Sequence, residues 1–200
     1  MEPFAELPYS EFAVVEELSR DLKKDKFSAF VPLSRQQRSV DFLIHNQVTK
    51  KCARFQVKAS RSFEVNSKGP YEYNLLFKNF IEKCSEGACD FYCLFGLYPD
   101  YDNSKRITDG CKQKMSTTDT KRVWRRLVLC FPARDMEKFL QNVKTKNDPN
   151  KPDKFFYISL GGIGPKQPSI VHATRGFNPA RPVSEFLLAS KIGEIEKFLS

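Results

Sequence analysis

Apolar and polar residues follow two different periods along this chain, and the switches between them mark out its elements. Residues 11–24 carry apolar side chains at helical spacing, and Ser10 just ahead of them predicts an N-cap whose hydroxyl accepts a first-turn amide. Plotted at about 100° per residue, Val15, Leu18 and Leu22 form one narrow stripe with Glu11 in its middle, while Glu16 and Glu17 fall outside. Residues 40–44 and 53–59 read as short β-strands joined by the polar turn 46–52, which predicts an antiparallel hairpin. Further strands are expected at 63–65 and 71–76 around the turn Lys68-Gly69-Pro70, followed by a second helix.

Downstream, 90–98 is apolar and β-prone, as an interior strand would be, whereas 99–115 is polar and turn-rich. A strand at 123–131, a helix at 133–143, an exposed linker at 144–154 and a strand at 155–160 follow. Gly161-Gly162-Ile163-Gly164-Pro165 lacks the Lys and Ser/Thr of a phosphate-binding loop and reads as a plain turn. A last helix spans 184–199, with Phe186, Leu187, Ile192, Ile195 and Phe198 available for packing. Strands and helices mixed in this order predict an α/β domain on one mixed β-sheet flanked by helices. The whole chain, 1–200, is expected to form a single domain: a core over 8–98, a basic loop over 99–122 and a C-terminal elaboration over 123–200.

Composition narrows the function classes. With 200 residues, 40% hydrophobic and 28% charged, the chain lies in the globular range. Every apolar run is far shorter than the roughly 20 residues that cross a bilayer, and the start of the chain has neither the basic nor the apolar region of a secretory signal. The expectation is a cytoplasmic protein with no membrane role. The six cysteines are then expected to be reduced, and Cys84, Cys89 and Cys93 lack the spacing of a zinc site. A formal charge of +9 changes the picture because it is clustered. Lys50, Lys51, Arg54, Lys58 and Arg61 surround one hairpin, and residues 105–126 hold eight Lys or Arg against two Asp, which favours a phosphate-rich partner.

The hairpin carries the candidate chemistry. A register that sets Asp41 opposite Lys58 and Leu43 opposite Gln56 puts Asp41, Gln56 and Lys58 on one face, with Phe55 and Val57 on the other. A slip of one residue would send Asp41 to the opposite side. Glu11, in the first turn of the helix, is expected to point toward the sheet from a position where the helix dipole favours negative charge. Two plainer readings stay open: a cross-strand salt bridge between Asp41 and Lys58, and a simple first-turn dipole residue at Glu11.

Taken together, Ser10-Glu11-Phe12, then Val40-Asp41-Phe42-Leu43-Ile44, then Phe55-Gln56-Val57-Lys58-Ala59-Ser60 resemble the PD-(D/E)xK nuclease superfamily, over roughly residues 8–62. The resemblance implies a restriction-endonuclease-like fold and a phosphodiester-hydrolysing site that uses Mg²⁺ or Mn²⁺. Glu11, Asp41 and the side-chain oxygen of Gln56 would be ligands, with the Val57 carbonyl completing the shell, and Lys58 would orient the attacking water and offset transition-state charge. Gln56 stands where the family more often has Asp or Glu, although Mrr-like members also carry Gln before the Lys. Ser60, Arg61, Tyr73, Arg122 and Arg125 are expected substrate contacts, with Trp124 available for stacking. The implied partner is nucleic acid, expected to be DNA, with a homodimer where both strands of a duplex are cut. The alternative is a catalytically inactive module of the same fold that binds nucleic acid or a protein.

Overall fold

The computed structural model describes residues 9–23, 25–32, 40–65, 69–84, 89–99, 124–164 and 167–200. The chain runs α1 (Tyr9–Asp21), β1 (Phe27–Phe30), β2 (Phe42–Asn46), β3 (Cys52–Glu64), β4 (Tyr73–Lys78), α2 (Ile81–Cys84), β5 (Phe91–Pro99), β6 (Trp124–Pro132), α3 (Ala133–Gln141), β7 (Phe155–Gly161), β8 (Ile170–Ala173), β9 (Arg181–Pro182), a 3-10 turn (Ser184–Phe186) and α4 (Leu188–Leu199). The result is a mixed α/β fold whose large sheet is mostly antiparallel and flanked by helices. Strands β1, β2 and β3 form an antiparallel meander, and β3 then runs parallel to β5 through the crossover made by β4 and α2. On the far side of β5, β6 pairs antiparallel, and from the C-terminal end of β3 a second path runs through β4, β7, β8 and β9.

Two apolar cores lie on the two sides of this sheet. On one side α1 and α4 cover Phe42, Ile44, Phe55, Val57, Phe91, Cys93 and Phe95. There Phe42 stacks on Phe55 at 4.8 Å and Phe55 on Phe91 at 5.1 Å between ring centroids. On the other side Leu94, Leu129 and Phe131 meet Leu75, Phe77, Phe156, Ile158 and the buried face of α3, Met136, Phe139 and Leu140. Strand β5 is therefore buried on both faces for most of its length, which accounts for its unbroken apolar run. Gly96 leaves room for Leu75 in the second core, since a Cβ there would meet its Cδ atoms and the side chain would have to shift.

Several expectations need correction. Ser10 already lies within α1 and is not its N-cap. The expected stripe of α1 is packed on the core, with Leu18 and Leu22 buried and Val15 against them, but the buried face extends further, to Ala13 and Val14. The arc is wider than the stripe because α1 packs on α4 as well as on the sheet. The strand expected at 63–65 is the end of β3, a single strand of 13 residues. Strands β1, β8 and β9 were absent from the periodicity reading, each having four residues or fewer. The expected last helix is a 3-10 turn and then α4.

The hairpin register also differs. Phe42 faces Phe55, Leu43 faces Arg54 and His45 faces Cys52, two residues away from the expected pairing. The turn sets this. The Asn46 carboxamide oxygen accepts the amides of Val48 at 2.8 Å and Thr49 at 3.2 Å, and Lys50 takes a left-handed φ of 63°. Because the offset is even, Asp41, Gln56 and Lys58 keep a common face. The segment 100–123, including most of the expected basic loop, lies outside the described residues. Among the described residues no helix is long and apolar enough to cross a membrane, and Cys52, Cys84, Cys89, Cys93 and Cys130 are free thiols.

Candidate active site

Asp41 stands immediately before β2, where two bonds to β3 fix it. Its backbone amide donates to the Phe55 carbonyl at 2.8 Å, and its Oδ2 accepts the Val57 amide at 2.6 Å. Val57 thus meets Asp41 through its N–H. Carrying the register one pair beyond Phe42 and Phe55 puts Asp41 opposite Gln56, on the face that Gln56 shares with Lys58.

Gln56 is 5% exposed, and its Oε1 is buried without a hydrogen-bond partner. An orphaned acceptor costs about 1–3 kcal/mol, so a residue held in this way calls for a reason. Its neighbours on the strand, Phe55 and Val57, are buried in the opposite core and gain the stability that Gln56 gives up.

Lys58 is two residues further along. Its Nζ lies 5.7 Å from the centroid of the Phe80 ring. Burial holds its ammonium below the ordinary lysine range; the Asp41 carboxylate opposes this, Lys83 reinforces it, and Glu11 opposes it more weakly. The charges of Asp41 and Lys58 favour each other across the two strands. Glu11 comes from the first turn of α1, is half-buried, and acts on Lys58 through its field. Asp41, Gln56 and Lys58 therefore share one face of the sheet, while Glu11 comes from α1, which covers the other face, and is the weakest of the charges that act on Lys58.

The expected substrate contacts scatter. Ser60 shares the Lys58 face and donates its hydroxyl to the Arg61 carbonyl at 3.1 Å. Arg61 is exposed on the opposite face by strand alternation. Tyr73 opens β4, facing Glu64 and Leu160, and packs against the second core, away from Gln56 along β3. Arg125 donates from Nη1 to the Gly164 carbonyl at 2.9 Å, tying β6 to the glycine turn. Arg122 lies outside the described residues. Lys83 on α2, which sequence reasoning missed, is close enough for its charge to act on Lys58. Its amide bonds the carbonyl of the same Phe80 whose ring lies near the Lys58 ammonium. The sequence signal was only a cation on a short helix after the β3–β4 hairpin.

Among the described residues there is no cluster of three or more His, Cys, Asp or Glu suited to a metal. The candidate set has two carboxylates, Asp41 and Glu11, and its third side-chain donor is an amide. The buried, unpartnered Gln56 Oε1 fits such a set, since a hard cation takes neutral amide oxygens along with carboxylates. No family model, curated protein or solved structure matches the chain.

Proposed function

We propose that this chain is a divalent-metal-dependent nuclease hydrolysing phosphodiester bonds, with DNA as its expected substrate. The observation that carries the reading is the Gln56 Oε1: a buried acceptor with no partner, on the strand face shared with Lys58 and beside the Asp41 that grips Val57. Asp41 ahead of the second strand, Gln56 and Lys58 on the third, and Glu11 on the preceding helix also follow the order in which the resembled superfamily carries its site.

Asp41, Glu11 and the Gln56 amide oxygen would hold Mg²⁺ or Mn²⁺, which supplies Lewis-acid charge and a more acidic bound water. Asp41 is held in place by the Val57 amide, so its carboxylate need not reorganise. Lys58 offers an N–H to the phosphoryl oxygen and a positive charge against the charge that grows there, in a half-buried setting where such a contact is stronger than in water. Lys83 extends the positive field at the same place.

The test is cleavage of duplex DNA, single-stranded DNA and RNA by the purified full chain, in EDTA, Mg²⁺ or Mn²⁺, beside Asp41→Asn and Lys58→Ala. Metal-dependent cutting lost in both variants is the expected result. Absence of cutting on every substrate would refute it and leave a binding module of this fold.

A further inference from the structure

Among the described residues, the sheet face covered by α1 and α4 carries exposed side chains toward the end where α1 begins. Arg61 on β3 lies opposite Leu97 on β5, and Leu97 lies opposite Arg126 on β6, so two arginines flank one row across three strands. Trp124 is opposite Pro99 at the last described pair and shares the Arg126 face of β6, and Phe63 shares the Arg61 face of β3, where the strand has passed from β5 to pair with β4. These aromatic rings are not core: Phe63 is 56% exposed and Trp124 39%. Tyr9, 55% exposed, adds a third ring from α1, edge-on to Phe95 at 6.0 Å. Its hydroxyl accepts the Arg126 Nε–H at 3.0 Å, and the guanidinium lies 5.4 Å from the ring centroid. A bond to Glu16 also holds Arg126, while Arg61 is exposed and joins no described ion pair.

We infer that this face, through Tyr9, Phe63 and Trp124 with Arg61 and Arg126, binds single-stranded nucleic acid by stacking bases on the rings and pairing phosphates with the arginines. Exposed rings interleaved with cations on a sheet match bases whose π faces are open. A duplex keeps those faces stacked inside and offers the rings nothing comparable. The chain's net charge of +9 agrees with a polyanionic occupant. Pinning by Tyr9 and Glu16 keeps Arg126 oriented before a strand arrives, which lowers the entropy lost on binding. The inference goes beyond the proposed function, because this surface lies on the face of β3 opposite Gln56 and Lys58, and it stands or falls separately from cleavage.

Trp124 is the only tryptophan, so its fluorescence reports on this surface directly. The full chain in EDTA, which prevents metal-dependent cleavage, is titrated with oligothymidylate, oligouridylate and a duplex of equal length. The expected result is saturable quenching by a single strand and much weaker binding of the duplex, with the two oligomers separating DNA from RNA. By anisotropy of a labelled strand, Phe63→Ala and Trp124→Ala each weaken binding by roughly tenfold, and Trp124→Phe retains most of it. Arg61→Gln lowers the salt dependence by about one phosphate contact. Unchanged fluorescence at saturating single strand, equal binding of duplex, or wild-type affinity in both alanine variants would overturn the inference. Metal-dependent cutting without quenching would refute this surface and leave the nuclease reading intact. Quenching without cutting would do the reverse.

Discussion

The two faces of β3 run side by side through Phe55, Gln56, Val57 and Lys58 and are built on opposite rules. On one, Phe55 is fully buried between Phe42 and Phe91 and Val57 is nearly so, under α1 and α4. On the other, Gln56 buries an acceptor with no partner and Lys58 holds an ammonium that burial disfavours. Residues one position apart thus differ by several kcal/mol in what they contribute to folding, because burial rewards apolar area and penalises unsatisfied polar groups. A strand that accepts this cost on one face while packing tightly on the other separates a rigid support from a reactive surface.

The largest effect falls on the packed face. Phe55→Ala is expected to cost about 3–5 kcal/mol, read from the urea midpoint, because a stacked ring between two others leaves a cavity. A loss under about 1 kcal/mol would show that the face is not the support described. On the polar face, Lys58→Ala is expected to lower metal-dependent cleavage by about 10²–10³ with stability equal or higher, since the variant no longer buries a charge. A melt as severe as that of Phe55→Ala would erase the contrast between the faces.

Gln56→Leu sharpens it further. Replacing an orphaned acceptor by an apolar side chain of similar size is expected to raise stability by about 1–3 kcal/mol, measured in the same urea series. A loss instead would show that the amide oxygen is satisfied in solution. The smallest effect is a shift of pH profile. The folded pKa of Lys58 lies below its unfolded value, so a rate that needs the ammonium is present below the folded pKa and lost as pH rises through it. By the same linkage, the stability cost of the buried charge is greatest below the folded pKa and fades as pH rises toward the unfolded value. Lys58→Arg, which stays charged, is expected to remove the alkaline fall in whatever activity it retains; an unmoved limb would assign the titration to another group.

Much of this contrast was legible in the sequence because strand alternation has a period of two, and parity survives a register error of two residues. The register itself was hidden, for it depends on the Asn46 side chain capping its own turn and on the left-handed Lys50. Helical periodicity found α1 and its apolar stripe but not the full width of its buried face, since the packing of α4 on it is a long-range event. Short strands such as β1 and β8 have too few residues to show a period and exist because longer neighbours hydrogen-bond them. The site was readable as a set of residue types. What sequence could not show was that Gln56 Oε1 would be buried without a partner, that the Lys83 charge would act on Lys58, or that Trp124 would be exposed.

The central claim is that the polar face of β3 holds a divalent cation, and calorimetric titration of Mn²⁺ into the full chain tests it most directly. The account predicts saturable binding that is lost in Asp41→Asn, weakened in Gln56→Leu and tightened in Gln56→Glu. Absence of binding by the wild-type chain, or equal binding by all four proteins, would contradict it.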